Sequence, residues 1–148
     1  MEGWEQWPIV KVVRRGYMTK ITLAQGPKGE KVAIKSVTDN PKCSDSLIAR
    51  FLDNETTALT LCRHPNLVRM VGMHGMGVRR RIALEWIDGD PLDEPNPTHG
   101  DFTLLPEQTR IYLLRQIFEA VEAVHAQGLL HCDLQGGNVL LTPSSQDK

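Results

Sequence analysis

Val32-Ala33-Ile34-Lys35-Ser36-Val37 alternates as a half-buried strand does, and from Leu47 onward apolar residues recur at three- and four-residue steps, so the chain has to combine a sheet with a helix. Ile9 to Val13 and Ile21 to Leu23 are short β-branched runs bracketed by Gly16 and by Gly26-Pro27-Lys28-Gly29, which predicts strands joined by turns. Lys31 to Val37 supplies a third strand, with Ala33, Lys35 and Val37 on one face. After polar residues Asp39 to Ser46, a stripe of Leu47, Ile48, Phe51, Leu52, Glu55, Ala58, Leu59 and Cys62 predicts a helix capped by Ser44 or Ser46. His64-Pro65-Asn66 ends that helix, and Leu67 to Gly72 and Arg81 to Ile87 predict two more strands. The fold class is α+β, with a small five-stranded sheet and one helix ahead of a helical region.

Asp88 to Phe102 is rich in acidic residues, prolines and glycines, the composition of a connecting loop and the best candidate for a boundary. From Pro106 the spacing predicts a second helix with a wide apolar stripe of Ile111, Leu114, Ile117, Phe118, Val121 and Val124, ended by Gly128. Leu129-Leu130-His131 and Val139-Leu140-Leu141 are brief strand-like runs that flank a polar loop. The expected organisation is a first lobe over 1–87, a linker over 88–105 and part of a second lobe over 106–148.

Seventeen Lys and Arg against eighteen Asp and Glu leave a formal charge of -1 over 148 residues, which removes a general electrostatic reason to bind nucleic acid or anionic lipid. The basic run Arg79-Arg80-Arg81 reads as a solvated turn between strands. Cys43, Cys62 and Cys132 are odd in number and form no CxxC pair, so neither a disulfide framework nor a zinc site is indicated. The N-terminal residues lack the pattern of a signal peptide, and no apolar run approaches the roughly 20 residues that cross a bilayer. The expectation is a soluble, cytoplasmic protein with no membrane or nucleic-acid partner.

Chemistry concentrates at three places. Glu55 falls within an apolar helical stripe, where a carboxylate needs a cation unless it sits at the edge of the stripe and reaches water. Lys35 shares a strand face with small apolar residues, a position that by itself fits an ordinary exposed lysine. His131-Cys132-Asp133-Leu134-Gln135-Gly136-Gly137-Asn138 places an aspartate five residues before an asparagine. That pairing suits phosphoryl transfer, which needs a carboxylate to orient and deprotonate a hydroxyl and an amide oxygen to hold Mg²⁺, although both residue types also favour turns.

Taken in order, Val32-Ala33-Ile34-Lys35, Glu55, His64-Pro65-Asn66, Glu85-Trp86-Ile87, the helix from Pro106 and the loop from His131 to Asn138 resemble the eukaryotic protein-kinase family. The resemblance implies a kinase-like fold, an N-terminal lobe followed by the start of a helical C-terminal lobe, with ATP and Mg²⁺ as cofactors. It implies that Lys35 bridges the ATP phosphates and is positioned by Glu55. Ala33 would pack on the adenine, the backbone from Glu85 to Ile87 would bond its edge, and Leu84 would set the pocket depth. Asp133 would be the catalytic base, Asn138 a metal ligand and His131 a strut within the loop.

The chain also departs from the family pattern. The glycine-rich loop falls on Arg14, Gly16 and Thr19, so only Gly16 of its three glycines is kept, which should loosen the cover over the phosphates. Cys132 replaces the arginine beside the aspartate, and Gln135 replaces the lysine two residues after it. The chain ends ten residues past Asn138, ahead of the family's D-F-G segment, so the 148-residue piece is expected to expose part of the second helix's stripe and to turn over little substrate alone. Three functions follow. One is a protein kinase segment that, in full-length form, phosphorylates serine or threonine; another is a pseudokinase or truncated docking module. The third is a kinase-like small-molecule phosphotransferase, which shares the H-x-D-x-x-x-x-N loop, but the V-A-I-K and H-P-N elements resemble protein kinases more closely. The substrate or docking partner is not specified by these residues.

Overall fold

The computed structural model describes residues 2–94 and 101–142; the linker positions 95–100 and the stretch 143–148 lie outside the described residues. The chain divides into two compact units, one of Met1–Arg63 with Val68–Trp86 and one of His64–Leu67 with Ile87–Lys148.

The first unit is a five-stranded antiparallel sheet with one long helix. Strands β1 (Ile9–Arg15), β2 (Thr19–Gln25), β3 (Lys31–Val37), β4 (Met70–His74) and β5 (Arg81–Glu85) lie in the order β1-β2-β3-β5-β4. β3 pairs on one side with β2, Ile21 opposite Lys35, and on the other with β5, Ala33 opposite Leu84 and Lys35 opposite Ile82. Alternation then divides the sheet's side chains between two faces. One face buries Ala24, Val32, Ile34 and Ala83 under Trp4, from a short 3-10 turn at Trp4–Gln6. The other buries Ile82 and Leu84 against Ile48 and Leu52 of helix α1 (Asp45–Leu61), with Ala33, Val37 and Phe51 packed around them. Edge strand β1 is exposed along its whole length and is bent by two register shifts.

Ser44 caps α1, its side chain accepting the Leu47 amide at 3.4 Å. Leu47, expected on the buried stripe, is instead exposed, because the face that meets the sheet runs through Ile48, Leu52 and Thr56. The fourth strand starts three residues later than its expected Leu67, since the Leu67 amide is used by the His64 carbonyl in a turn and register with β5 begins at Met70 opposite Leu84. The fifth ends at Glu85 rather than Ile87.

The basic run is not the solvated turn that its composition predicts. Arg80 is ion-paired with Asp53 of α1, donates to Thr56 Oγ1 at 3.3 Å, and keeps only 13% of its side chain exposed. Arg81 lies over the Trp4 ring and donates to the Glu5 carbonyl at 3.0 Å. These arginines clasp opposite faces of the sheet, a role set by partners far away in sequence.

The second unit is built on helix α2 (Glu107–His125). Past its end the Gly128 amide bonds the His125 carbonyl at 2.8 Å, with Gly128 at φ +71°, a left-handed geometry that glycine adopts without a Cβ penalty. α2 buries Leu113, Ala120 and Val124, while Ile111, Leu114 and Phe118 of the expected stripe are exposed. Within the expected linker, β6 (Asp90–Pro91) pairs antiparallel with β7 (Leu140–Leu141), so this segment contributes a packed element. Leu129 to His131, expected to be strand-like, form no strand.

Candidate active site

The candidate residues of the first unit converge on β3 and α1. Lys35 leaves β3 on the face covered by α1, and Glu55 leaves α1 two turns after Ile48, so their heads meet: Lys35 Nζ donates to Glu55 Oε1 at 2.6 Å. The pair is mostly buried, and the Phe51 ring, one turn before Glu55, lies 5.1 Å from Lys35 Nζ. Glu55 Oε2 is buried without a hydrogen-bond partner. Only one of the ammonium's three donors is taken by Glu55, so the group keeps donors suited to a polyphosphate.

Ala33 and Leu84 lie opposite each other on β3 and β5, with Leu84 buried against Ile48, Leu52 and Ile82. At Glu85 the amide donates to the Arg69 carbonyl at 2.9 Å, and the side chain accepts the Arg69 amide at 2.7 Å. The Glu85 amide is therefore spent on the sheet, and the carbonyl is the backbone group suited to an adenine edge there. Ile87, whose backbone was assigned to the same edge, begins the second unit.

Gly16 sits at the tip of the β1–β2 hairpin, its amide bonded to the Thr19 carbonyl at 2.8 Å. The hairpin, which keeps one of the three family glycines, is fastened to the segment after β3. Arg15 binds Asp39 at 2.6 Å and Lys20 binds its other oxygen. The Thr38 amide bonds the Met18 carbonyl at 3.0 Å, the Lys42 amide bonds the Tyr17 carbonyl at 3.3 Å, and Lys42 Nζ lies 5.3 Å from the Tyr17 ring. Hydrogen bonds from Lys20, then Arg15, lower the Asp39 carboxyl from 3.8 to about 2. No feature of the sequence marked Asp39, because an aspartate after a strand is an ordinary turn residue.

In the second unit, Asp133 and Asn138 are in direct contact. Asn138 Nδ2 donates to Asp133 Oδ2 at 2.8 Å and to the Asp133 carbonyl at 2.9 Å, and the Asp133 amide donates to His131 Nδ1 at 3.3 Å. A single 3-10 turn at Gly136–Asn138 brings the asparagine back over the aspartate. The loop is fixed from behind by the Leu92 amide, which bonds the Val139 carbonyl at 2.9 Å and the Gly136 carbonyl at 3.2 Å. A Cβ on Gly136 would stand 2.6 Å from the Asp93 Cβ, so this approach requires glycine. Cys132, at φ 60°, is the one non-glycine residue with positive φ among the described residues, and it turns the chain between His131 and Asp133. Among the described residues, no three or more His, Cys, Asp or Glu side chains come together as a metal site. Asn138 brings one oxygen donor of the kind Mg²⁺ prefers.

A strand lysine paired with a helix glutamate, and a loop aspartate bonded to an asparagine five residues on, are joined by a match of residues 9–148 to the protein kinase domain family model. This chain belongs to the protein kinase domain family. Protein kinase domains use ATP with a divalent cation. The chain is 29% identical over 137 residues to a putative serine/threonine-protein kinase A of Trypanosoma brucei brucei, covering 85% of this chain and 32% of that protein. It is 31% identical over 144 residues to CBL-interacting protein kinase 31 of Oryza sativa subsp. japonica, covering 97% of this chain and 31% of that protein. It therefore spans about a third of the length of these curated relatives. The PknI kinase domain of Mycobacterium tuberculosis superposes with a TM-score of 0.69 at 23% identity, over 95% of this chain and 56% of that one. The kinase fold is thus shared, with the five-stranded sheet and α1 as its N-terminal lobe. No helix among the described residues is long and apolar enough to cross a membrane.

Proposed function

We propose that this kinase-family chain is the ATP-binding and catalytic-loop portion of a protein kinase that phosphorylates serine or threonine hydroxyls of a protein substrate. The observation that carries this reading is the Lys35–Glu55 pair, two residues twenty apart in sequence brought within 2.6 Å in a mostly buried setting. Holding an ammonium at one point beneath a sheet, with its remaining donors unspent, is how a protein fixes a polyphosphate. Glu55 does the holding and Lys35 the binding. Ala33 and Leu84 supply an apolar wall for a purine, and the backbone of Glu85 and Ile87 supplies its polar edge.

Bound ATP and its divalent cation supply the phosphoryl group and offset the charge that moves with it. Asp133 accepts the proton of the attacking hydroxyl, its carboxylate already oriented by Asn138. Asn138 commits its Nδ2 to Asp133, which makes its amide oxygen the atom with the right chemistry for the cation. Gly16 and the fastened hairpin tip cover the phosphates. The relatives named as serine/threonine kinases support the choice of hydroxyl.

The test has two arms. Nucleotide affinity should fall at least tenfold in Lys35→Ala, and equal affinity would remove Lys35 from the phosphates. In the full-length kinase that contains this portion, phosphotransfer to a generic protein substrate should be lost in Asp133→Asn with ATP affinity kept. Activity that survives this change would remove Asp133 as the base.

A further inference from the structure

The Asp133 carboxylate is held from both sides, and the second holder has had no role so far. Gln135 Nε2 donates to Asp133 Oδ1 at 3.0 Å, while Asn138 Nδ2 donates to Oδ2 at 2.8 Å. An ionised carboxylate only accepts, so the amide of Gln135 can meet it only through its NH₂ group. Rotation about the last bond of an aspartate is soft, and one donor leaves the carboxylate free to swing about that contact. Two donors on two different oxygens fix its plane. This matters because Asp133 and Gln135 are both exposed.

Gln135 is itself well placed to hold. Its backbone is extended, at φ -145° and ψ 160°, its carbonyl accepts the Asn138 amide at 2.9 Å, and its neighbour Gly136 is pressed against Asp93. The donor therefore stands on an anchored stretch of chain. We propose that Gln135 is a positioning residue that fixes the Asp133 carboxylate toward the substrate hydroxyl, as a neutral donor where the family pattern has a cation. The proposal rests on Asp133 being the base.

The substitution that isolates this contact is Gln135→Met, which keeps length and loses the donor. In the full-length kinase, kcat should fall about tenfold, part of the factor that a well-aimed general base contributes, with KM for ATP unchanged. Gln135→Lys retains a donor and should recover most of that loss. A residue that merely fills space would leave the methionine variant as active as the parent and would show no rescue by lysine, and either result overturns the proposal. A readout without turnover is NMR of the Gln135 side-chain NH₂ protons, whose resonances should move in Asp133→Ala; unchanged resonances would also overturn it. If Asp133→Asn keeps activity, the base assignment itself has failed. If that variant is dead while Gln135→Met is fully active, only the role of Gln135 has failed.

Discussion

Lys35 Nζ and Glu55 Oε1 are 2.6 Å apart with side chains only 16% and 23% exposed, and the other Glu55 oxygen is buried without a partner. An ion pair in this setting is held for its chemistry more than for stability, because desolvation offsets much of the attraction. Glu55→Ala leaves an ammonium beside the Phe51 ring with no counter-charge and should lower unfolding free energy by about 1–3 kcal/mol, less than for a fully buried pair. The double variant Lys35→Met with Glu55→Leu should be at least as stable as the parent while binding ATP far more weakly. Urea denaturation beside nucleotide titration checks both. A double variant less stable than Glu55→Ala would show that the pair is structural.

Asp39 gathers Arg15 and Lys20 and so ties the hairpin to the segment after β3. Its carboxyl is lowered from 3.8 to about 2 by hydrogen bonds from Lys20 and then Arg15. A lowered folded value means the contribution is present in full above about pH 4 and is lost as pH falls toward about 2. The difference in thermal midpoint between the parent and Asp39→Asn should therefore be constant from pH 5 to 8 and shrink below pH 4. Because Asp39 and Arg15 are exposed, added salt should narrow it as well. A difference that grows on acidification would contradict this assignment.

Gly136 has no room for a side chain, since a Cβ would lie 2.6 Å from the Asp93 Cβ and 3.1 Å from its amide nitrogen. Gly136→Ala should force the loop away from Pro91–Asp93, costing about 1–3 kcal/mol in stability. Turnover should fall with it, because Asp133, Gln135 and Asn138 are carried by the same loop. Calorimetry and a phosphotransfer assay on one preparation would read both effects. Unchanged stability would show that the loop relaxes freely.

Trp4 is 4% exposed and covers Ala24, Val32, Ile34 and Ala83 on the face of the sheet opposite α1. Trp4→Ala should cost about 3–5 kcal/mol, the usual range for removing a large buried aromatic. Denaturant titration would measure it. A loss below about 1 kcal/mol would mean that other residues close over the exposed face.

Much of the fold was legible because it is local. β-Branched runs between turn residues marked β1 and β2, alternation marked β3, the polar-to-apolar change with Ser44 marked the start of α1, and Gly128 marked the end of α2. Trp4 gave no comparable signal, because a short 3-10 turn has no period to detect. Leu114 and Phe118 are exposed, in line with the expectation that part of the α2 stripe stays uncovered, because periodicity identifies an apolar face without saying what covers it. Arg80 looked solvated because charge runs usually are, yet Asp53, from a different element, takes it out of water.

By itself the sequence determined the five strands of the sheet and the two long helices, the candidate lysine, glutamate, aspartate and asparagine, and the order that places the chain among protein kinases. Each of these depends on residues within a turn or two of one another, or on motif order along the chain. The resemblance already implied that Glu55 positions Lys35; only the tertiary structure decided that Phe51 lies beside that pair, that Asp39 fastens the hairpin through Arg15 and Lys20, and that Gln135 points its amide at Asp133. Those contacts depend on sheet register, on helix rotation and on the path of a loop. Each is settled by packing across many residues, so no single stretch of sequence contains it.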